Sequence, residues 1–181
     1  VILDPGHDIL MERKSHDYSE SERLAILNSN VSYLEKRDAA LGLLNDKSSD
    51  ELVSKVLGSV LKSNQPLYIS ELVSRAAGIN RNSQRELFRS LLKSSDPDVK
   101  FAALNRMGQL PKDDKDVALL RGLISDNEIY SVVNAAMNTL SVWDAKGNID
   151  IFKVQATKES RYSTLRESAI AAMSRDSNPE T

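Results

Sequence analysis

Apolar side chains along most of this chain recur every three or four positions, which is the spacing of an α-helix with one buried face. The clearest case is a single stripe formed by Leu52, Val53, Val56, Leu57, Val60 and Leu61. After residue 20, no segment alternates between apolar and polar residues over a useful length, as a half-buried strand would. The pattern therefore predicts an all-α domain from Ser19 onward.

Polar and turn-forming residues mark where the predicted helices begin and end. Ser19 and Glu22, and likewise Ser83 and Glu86, have the S-x-x-E spacing of a capping box, in which two side chains satisfy free backbone amides. Acidic pairs at residues 50–51 and 113–114 precede two further stripes, because negative charge suits a helix N-terminus. Turn-forming clusters separate the helices at residues 64–66, 95–98, 110–111 and 145–148.

The most informative feature is an internal repeat of eight residues. Four such octets align without gaps, RDAALGLL, KFAALNRM, VNAAMNTL and RESAIAAM, and they begin at Arg37, Lys100, Val133 and Arg166. Position four is always alanine, whereas positions five and eight are always leucine, isoleucine or methionine. The starts are separated by 63, 33 and 33 residues, so a degenerate copy is expected around residues 67–77. A fixed period of this length indicates stacked helical hairpins.

Stacking explains the octet pattern physically. The inner helix of each hairpin approaches its neighbours closely, which favours a methyl group at position four, while the larger side chains fill the layer between hairpins. Each hairpin exposes an apolar face that the next hairpin covers. The alternative is a non-repetitive bundle whose helices resemble one another by chance. We favour a right-handed α–α superhelix of helical hairpins over residues 19–181, preceded by a short extended N-terminal arm over residues 1–18.

The extended arm is expected to begin with a short strand. Val1, Ile2 and Leu3 are compatible with a strand, and Pro5 and Gly6 stop it in a turn. Because so short a strand needs neighbours, the segment is expected to be the end of a preceding module. The alternative is a frayed N-terminal arm.

Two parts of the sequence resemble known families. The octets, with the Asp- and Pro-containing turns before them, resemble HEAT/ARM-like repeats. Residues 1–10 (VILDPGHDIL), followed by residues 20–44 with Arg37-x-x-Ala40, are similar to a junction in aminopeptidase N-like zinc metallopeptidases of the gluzincin family. At that junction a β-sandwich module leads into a C-terminal helical domain. The resemblance covers the whole chain and is strongest over residues 1–45 and 96–175.

This resemblance implies a role without catalysis. The helical domain of such an enzyme docks on the upstream catalytic and β-sandwich modules of the same polypeptide and restricts the access of peptides. The family's zinc site is built on H-E-x-x-H with a downstream glutamate, whereas the two histidines of this sequence, His7 and His16, begin no such motif. The resemblance therefore implies no catalytic residue and no cofactor in this chain, with zinc bound only in the parent enzyme. We interpret the histidines, with Asp4, Asp8 and Asp17, as capping or solvent-facing residues rather than as a metal site.

Composition argues against several other functions. The 24 Lys and Arg against 26 Asp and Glu give a formal net charge of −2, which provides no cationic excess for nucleic acid, and no apolar run is long enough for membrane insertion. The absence of cysteine excludes disulfides and thiolate zinc sites, and it is compatible with a cytoplasmic, periplasmic or secreted location. The sequence contains neither a phosphate-binding glycine loop nor a G-x-S-x-G nucleophile motif.

Three octets begin with a cationic residue, and these are the candidate binding residues of the chain. Arg37, Lys100 and Arg166 are expected to lie on one side of the stack, in a ladder that Val133 interrupts. One interpretation is a docking surface for acidic or C-terminal carboxylate groups. The other, which we favour, is that each binds an acidic side chain or carbonyl group of the neighbouring turn and so connects the repeats.

Two alternatives to the peptidase hypothesis come from other functional classes. The first is a freestanding HEAT-repeat scaffold that binds another protein, and the second is a HEAT-like lyase acting on a chromophore–protein conjugate. The peptidase hypothesis predicts a reading frame that continues upstream of Val1 and encodes H-E-x-x-H. The scaffold predicts a start codon close to Val1.

Overall fold

The computed structural model of the chain describes residues 17–160 and 163–175. Within these ranges, regular structure consists of ten α-helices and three short 3₁₀ helices, without a strand, and the all-α prediction is confirmed there. The strand expected at residues 1–3 and the group formed by Asp4, His7, Asp8 and His16 lie outside the described residues. The described helices form two compact units, unit 1 within residues 1–80 and unit 2 within residues 81–181.

Unit 1 is arranged around its second helix. Its helices are α1 (Glu20–Asn28), α2 (Tyr33–Leu43), α3 (Asp50–Lys62), α4 (Pro66–Arg75) and a 3₁₀ helix (Ala77–Ile79). The capping box of Ser19 and Glu22 is present at the start of α1, which confirms that predicted boundary. At the start of α3, Ser49 accepts a hydrogen bond from the backbone of Leu52. Helix α2 packs against α1, α3 and α4.

Unit 2 consists of three consecutive helix pairs. Its helices are a 3₁₀ helix (Asn82–Gln84), α5 (Arg85–Leu91), α6 (Pro97–Met107), α7 (Asp114–Leu123), α8 (Tyr130–Asp144), a second 3₁₀ helix (Lys146–Asn148), α9 (Ile149–Ala156) and α10 (Thr164–Ser174). Helices α5, α7 and α9 pack against α6, α8 and α10, respectively. Helix α6 also packs against α8, and α8 against α10. The second helices of the three pairs therefore form one continuous layer.

The octets lie on α2 in unit 1 and on the three second helices of unit 2. Position four is fully buried in all of them, since Ala40, Ala103, Ala136 and Ala169 are each 0% exposed. A methyl group is the largest side chain that such a contact accommodates without moving the neighbouring helix. The shared environment of position four, inferred from the repeat alone, is thus present in the structure.

One predicted helix start is wrong. Ser83 and Glu86 have the spacing of a capping box, but α5 begins at Arg85, and Ser83 lies within the preceding 3₁₀ helix. The reason is a tertiary contact. The guanidinium group of Arg85 binds the buried Asp116 and the carbonyl oxygen of Pro111, and these contacts outweigh a local capping preference of about 1 kcal/mol.

We expect the substitution Ala136→Leu to lower the free energy of unfolding by about 1–3 kcal/mol, because three extra carbons would have to enter a filled contact between α8 and its neighbours. The matched control is Ala118→Leu, at an exposed position of α7, which should change the stability by no more than about 0.5 kcal/mol. Urea unfolding followed by far-UV circular dichroism measures both values. Equal effects of the two variants would contradict the close packing at position four.

Candidate functional site

One face of α6, α8 and α10 lines a surface groove in unit 2 that encloses about 440 Å³. Phe101 and Asn105 line it from α6, Asn134 and Asn138 from α8, and Arg175 from the end of α10. Residues four positions apart lie on the same side of a helix, so each pair faces the groove together. The groove is therefore built from the octet helices of three consecutive hairpins.

Most polar groups of the groove are uncharged. Asn105 and Asn138 both occupy position six of their octets, and both are exposed. Asn134 Oδ1 is buried and has no hydrogen-bond partner among the described residues. An unsatisfied buried acceptor costs about 1–3 kcal/mol, but because this oxygen is buried it is not accessible to a ligand at the groove surface.

Arg175 is the only charged side chain among the described residues that line the groove. Its Nη1 atom donates to the carbonyl oxygen of Asn138 at 3.2 Å and to Ser141 Oγ at 2.7 Å. These two contacts hold the guanidinium group against α8. Because the described lining residues include no carboxylate, the groove near Arg175 favours a negatively charged ligand group over a positively charged one.

Sequence reasoning did not identify these groove residues. The sequence does show asparagine at position six of two octets. A recurring residue type does not reveal, however, which face of its helix remains uncovered by other helices. Only the packing of α6 against α8, and of α8 against α10, shows that position six stays accessible while position four is buried.

The cationic first residues of the octets bind groups within their own units. Their partners are Glu71 on α4 for Arg37, Glu128 before α8 for Lys100, and the carbonyl oxygen of Ala156 at the end of α9 for Arg166. None of the three lies in the groove lining. The three residues thus lie at contacts between neighbouring segments of the chain, where each cationic group binds a nearby carboxylate or carbonyl oxygen.

Ion pairs connect the first helices of the hairpins in unit 2. Asp116 on α7 is 0% exposed and binds both Arg85 and Arg89 of α5. Its hydrogen bond is the main cause of the raised pKa of Arg89. On the next hairpin, Arg121 of α7 pairs with Asp150 of α9 at 2.7 Å. The first helices are therefore connected by ion pairs, and the pair between Lys100 and Glu128 adds an ionic contact beside the packed second helices.

An aromatic pair and a polar cluster connect α2 and α4 in unit 1. The rings of Tyr33 and Tyr68 meet edge to face, with centroids 5.6 Å apart. The hydroxyl of Tyr33 donates to Glu71, which Arg37 and Arg75 also contact. The pKa of Glu71 is lowered, chiefly by the Tyr33 hydrogen bond. Tyr68 differs, because its buried hydroxyl has no partner among the described residues and burial raises its pKa to about 12.

The raised pKa of Tyr68 predicts a loss of stability in alkaline solution. Between pH 10 and about 12 an unfolded chain releases the phenolic proton that the folded chain retains, so the unfolded state binds fewer protons and the free energy of unfolding falls as the pH rises. Below pH 10 this contribution is constant. In Tyr68→Phe the alkaline fall in the free energy of unfolding should be smaller. Stability at pH 7 should be unchanged or slightly higher, because the change removes a buried hydroxyl that has no partner among the described residues.

Urea unfolding at pH 7, 9, 10 and 11 checks this expectation. Tyr130→Phe, which removes the hydroxyl of an exposed ring, is the matched control and should follow the unmodified chain at every pH. A Tyr68→Phe variant that is clearly less stable at pH 7 would show that the hydroxyl of Tyr68 has a stabilising partner.

The described residues hold no group of three or more His, Cys, Asp or Glu side chains arranged to bind a metal ion. Asp17, the one member of the N-terminal His/Asp group that falls within these ranges, is exposed and lies 4.0 Å from Arg23. Among the described helices, none has the length and apolar character needed to cross a membrane.

The chain matches no model of a known protein family and no curated protein sequence. The features of this chain that bear on function are therefore the repeat, the groove and the contacts between helices.

Proposed function

We propose that this chain is a non-catalytic helical repeat domain of an aminopeptidase N-like zinc metallopeptidase. In this proposal its HEAT-like hairpins stack as a right-handed α–α superhelix, and it contributes no catalytic residue and no zinc ligand. The observation that carries the proposal is the stacking of α6, α8 and α10 in chain order, with position four of every octet fully buried. The resemblance to HEAT-like repeats predicts stacking of this kind.

Unit 1 gives further support to the repeat. Helix α4 (Pro66–Arg75) occupies the region where a degenerate octet was expected, and it packs against α2 as α8 packs against α6. Its Leu72 is 0% exposed and Val73 is 2% exposed. We therefore assign α4 as a divergent inner helix of the same series.

The distribution of charge supports a division of roles within the domain. Arg37, Lys100 and Arg166 have partners inside their units, so we assign them to connecting repeats rather than to docking. The face of α6, α8 and α10 keeps its amides accessible, and we assign it to contact with polypeptide. In a parent enzyme, such a face beside the catalytic part would restrict which peptides reach the zinc ion.

A freestanding repeat scaffold is the second candidate, and the groove favours it equally, since a surface that binds polypeptide needs no catalytic module. The two candidates differ in what the gene encodes. Under the peptidase proposal, the reading frame continues upstream of Val1 and contains H-E-x-x-H and a downstream glutamate. Sequencing the full transcript decides between them, because a start codon close to Val1 overturns the peptidase proposal in favour of the scaffold.

An activity assay tests the non-catalytic assignment separately. The purified chain, supplied with Zn²⁺ and with alanine or leucine p-nitroanilide, should release no nitroaniline above the rate of a heat-denatured sample. Zinc-dependent turnover that follows the protein through purification would overturn the assignment.

A further inference from the structure

A second pocket lies in unit 1 and encloses about 570 Å³, which is within the range of about 300–1,000 Å³ that is common for ligand sites. Its lining comes from the start of α1, the end of α2 and the start of α3. Two cationic side chains line it, Arg23 of α1 and Lys47 of the turn after α2, together with the carboxylates of Asp17 and Glu20. The class of ligand that fits therefore depends on which of these charges are already paired.

The guanidinium group of Arg23 lacks the close carboxylate that comparably buried arginines of this chain have. Its side chain is 20% exposed, and the carboxylate of the fully exposed Asp17 is 4.0 Å from Nη2. Arg37 and Arg89 are 22% and 13% exposed, yet each has a carboxylate oxygen nearby, at 2.8 and 2.7 Å respectively. Among the described residues, Arg23 forms one hydrogen bond, from Nε to the carbonyl oxygen of Tyr18. Both Nη atoms therefore keep donors for a ligand.

Gly42 makes room for this guanidinium group on α2. A Cβ atom at position 42 would overlap Nη1 of Arg23. Glycine within a helix is less favourable than alanine by roughly 1 kcal/mol, so helix stability is given up at the position where Arg23 lies against α2. The ring of Tyr18, whose centroid is 5.9 Å from the guanidinium carbon, provides a cation–π contact. Together these contacts hold Arg23 at the pocket wall.

Hydrogen bonds within the turn after α2 order the segment that carries the second cation. Asn45 Oδ1 accepts a hydrogen bond from the backbone amide of Lys47 at 3.0 Å. Ser48 Oγ donates to the carbonyl oxygen of Leu43 at the end of α2. The exposed Lys47 thus projects from an ordered turn that forms part of the pocket lining.

We propose that this pocket binds a phosphate group, free or as a monoester, through Arg23 and Lys47. A guanidinium group offers parallel donors to a phosphate, and an ammonium group adds a point charge. A tetrahedral anion presents oxygens in several directions, so it can meet cations from two segments, whereas a planar carboxylate is matched by one guanidinium group. The weakly held carboxylate of Asp17 moves away from Arg23 when phosphate enters. The pocket belongs to unit 1 and the groove to unit 2, so this binding is independent of the peptidase proposal.

A titration of the ¹⁵N-labelled 181-residue chain with sodium phosphate at pH 7 tests the proposal, with sodium acetate at equal ionic strength as the comparison. Phosphate should cause saturable shifts in the backbone amide signals of Gly42, Lys47 and Ser48. Acetate should bind at least threefold more weakly, because it offers fewer oxygens to the two cations. Glycerol 3-phosphate is the second ligand. Tighter binding than that of inorganic phosphate assigns a monoester, and binding that is no tighter assigns the free anion.

Variants locate the binding. Arg23→Gln should weaken it at least tenfold, the effect of losing hydrogen bonds from a charged group. Gly42→Ala should weaken it as well, although it keeps every charge, because the added methyl group displaces the guanidinium group while α2 stays as stable or becomes more stable. Asp17→Asn should tighten binding about twofold to fivefold by removing the competing carboxylate. Lys55→Gln, at an exposed position of α3 outside the pocket, is the matched control and should bind as the unmodified chain does.

Shifts that acetate reproduces, or that follow ionic strength alone, overturn the proposal. Phosphate binding that is unchanged in both Arg23→Gln and Gly42→Ala overturns it too. If Arg23→Gln fails to fold, Gly42→Ala and Lys47→Gln remain, and Lys47→Gln should weaken binding about threefold. Thermal unfolding gives an independent readout, since saturating phosphate should raise the Tm of the unmodified chain more than that of Gly42→Ala. An equal rise in both contradicts the placement of the site at Arg23.

Discussion

The substitution Asp116→Asn should lower the free energy of unfolding by about 3–5 kcal/mol, the largest effect that we expect from a single change in this chain. The carboxylate of Asp116 is 0% exposed and binds two guanidinium groups, those of Arg85 and Arg89, which are themselves only 11% and 13% exposed. Asparagine keeps the shape but removes the charge. Arg89 would keep the carboxylates of Asp113 and Glu86 as partners. The largely buried Arg85 would keep only neutral ones, Asn82 and the carbonyl oxygen of Pro111.

Asp150→Asn is the matched control for this prediction. Asp150 also joins neighbouring first helices, through Arg121, but its side chain is 67% exposed. Exposed pairs contribute a median of about 0–1 kcal/mol, because water screens the charges. Urea unfolding at low and high salt compares the two variants. If Asp116→Asn costs no more than Asp150→Asn, the Asp116 cluster does not connect α5 to α7 as described.

Leu104→Ala should lower the free energy of unfolding by about 2–5 kcal/mol, since Leu104 is 0% exposed and its removal would leave a cavity at position five of its octet. Ile170 occupies the same octet position on α10 but is 53% exposed. Ile170→Ala should therefore cost less than about 1 kcal/mol. Thermal or urea unfolding of the two variants measures the difference directly.

Comparing these two variants separates the effect of the octet position from the effect of where the helix lies in the stack. Leu104 lies on α6, which α8 covers, whereas α10 is the last helix among the described residues. The sequence assigns both residues the same role, and the structure gives them different burial. A loss of similar size in both variants would mean that Ile170 is also covered in solution.

The pattern of charge between hairpins has a functional consequence. Helices α6, α8 and α10 pack directly against one another, with one ion pair between Lys100 and Glu128, while ion pairs connect α5, α7 and α9. Exposed pairs such as the one between Arg121 and Asp150 are weakened by salt. Added salt should therefore weaken the exposed pair between α7 and α9 more than it weakens the helix packing that forms the groove.

Much of the fold could be predicted from local patterns. The capping box of Ser19 and Glu22, the acidic start of α3 and the Asp113 cap of α7 depend on neighbouring residues in the chain, and the structure contains all three. The boundary at Ser83 could not be predicted, because Arg85 takes part in a contact with Asp116, 31 residues further along. At this boundary, the contacts of Arg85 with the buried Asp116 and with Pro111 stand in place of the local cap.

The candidate site was predictable only in part. The octets identified the helices that form it, and they placed Ala103 and Ala136 in the buried layer. They did not show that Asn105 and Asn138 share a groove with Arg175, which comes after the last octet. They also favoured a local role for Arg37, Lys100 and Arg166 without naming their partners.

The amino-acid sequence by itself determined the helical class, the repeat and the burial of alanine at position four, because these follow from a period of 3.6 residues and from a side chain that recurs in register. The tertiary structure alone decided which faces remain open, why Asp116 is fully buried while Asp150 is exposed, and why Leu104 and Ile170 differ. Burial depends on whether another helix covers a residue. That is a property of three-dimensional packing, and equivalent positions in a repeat do not share it.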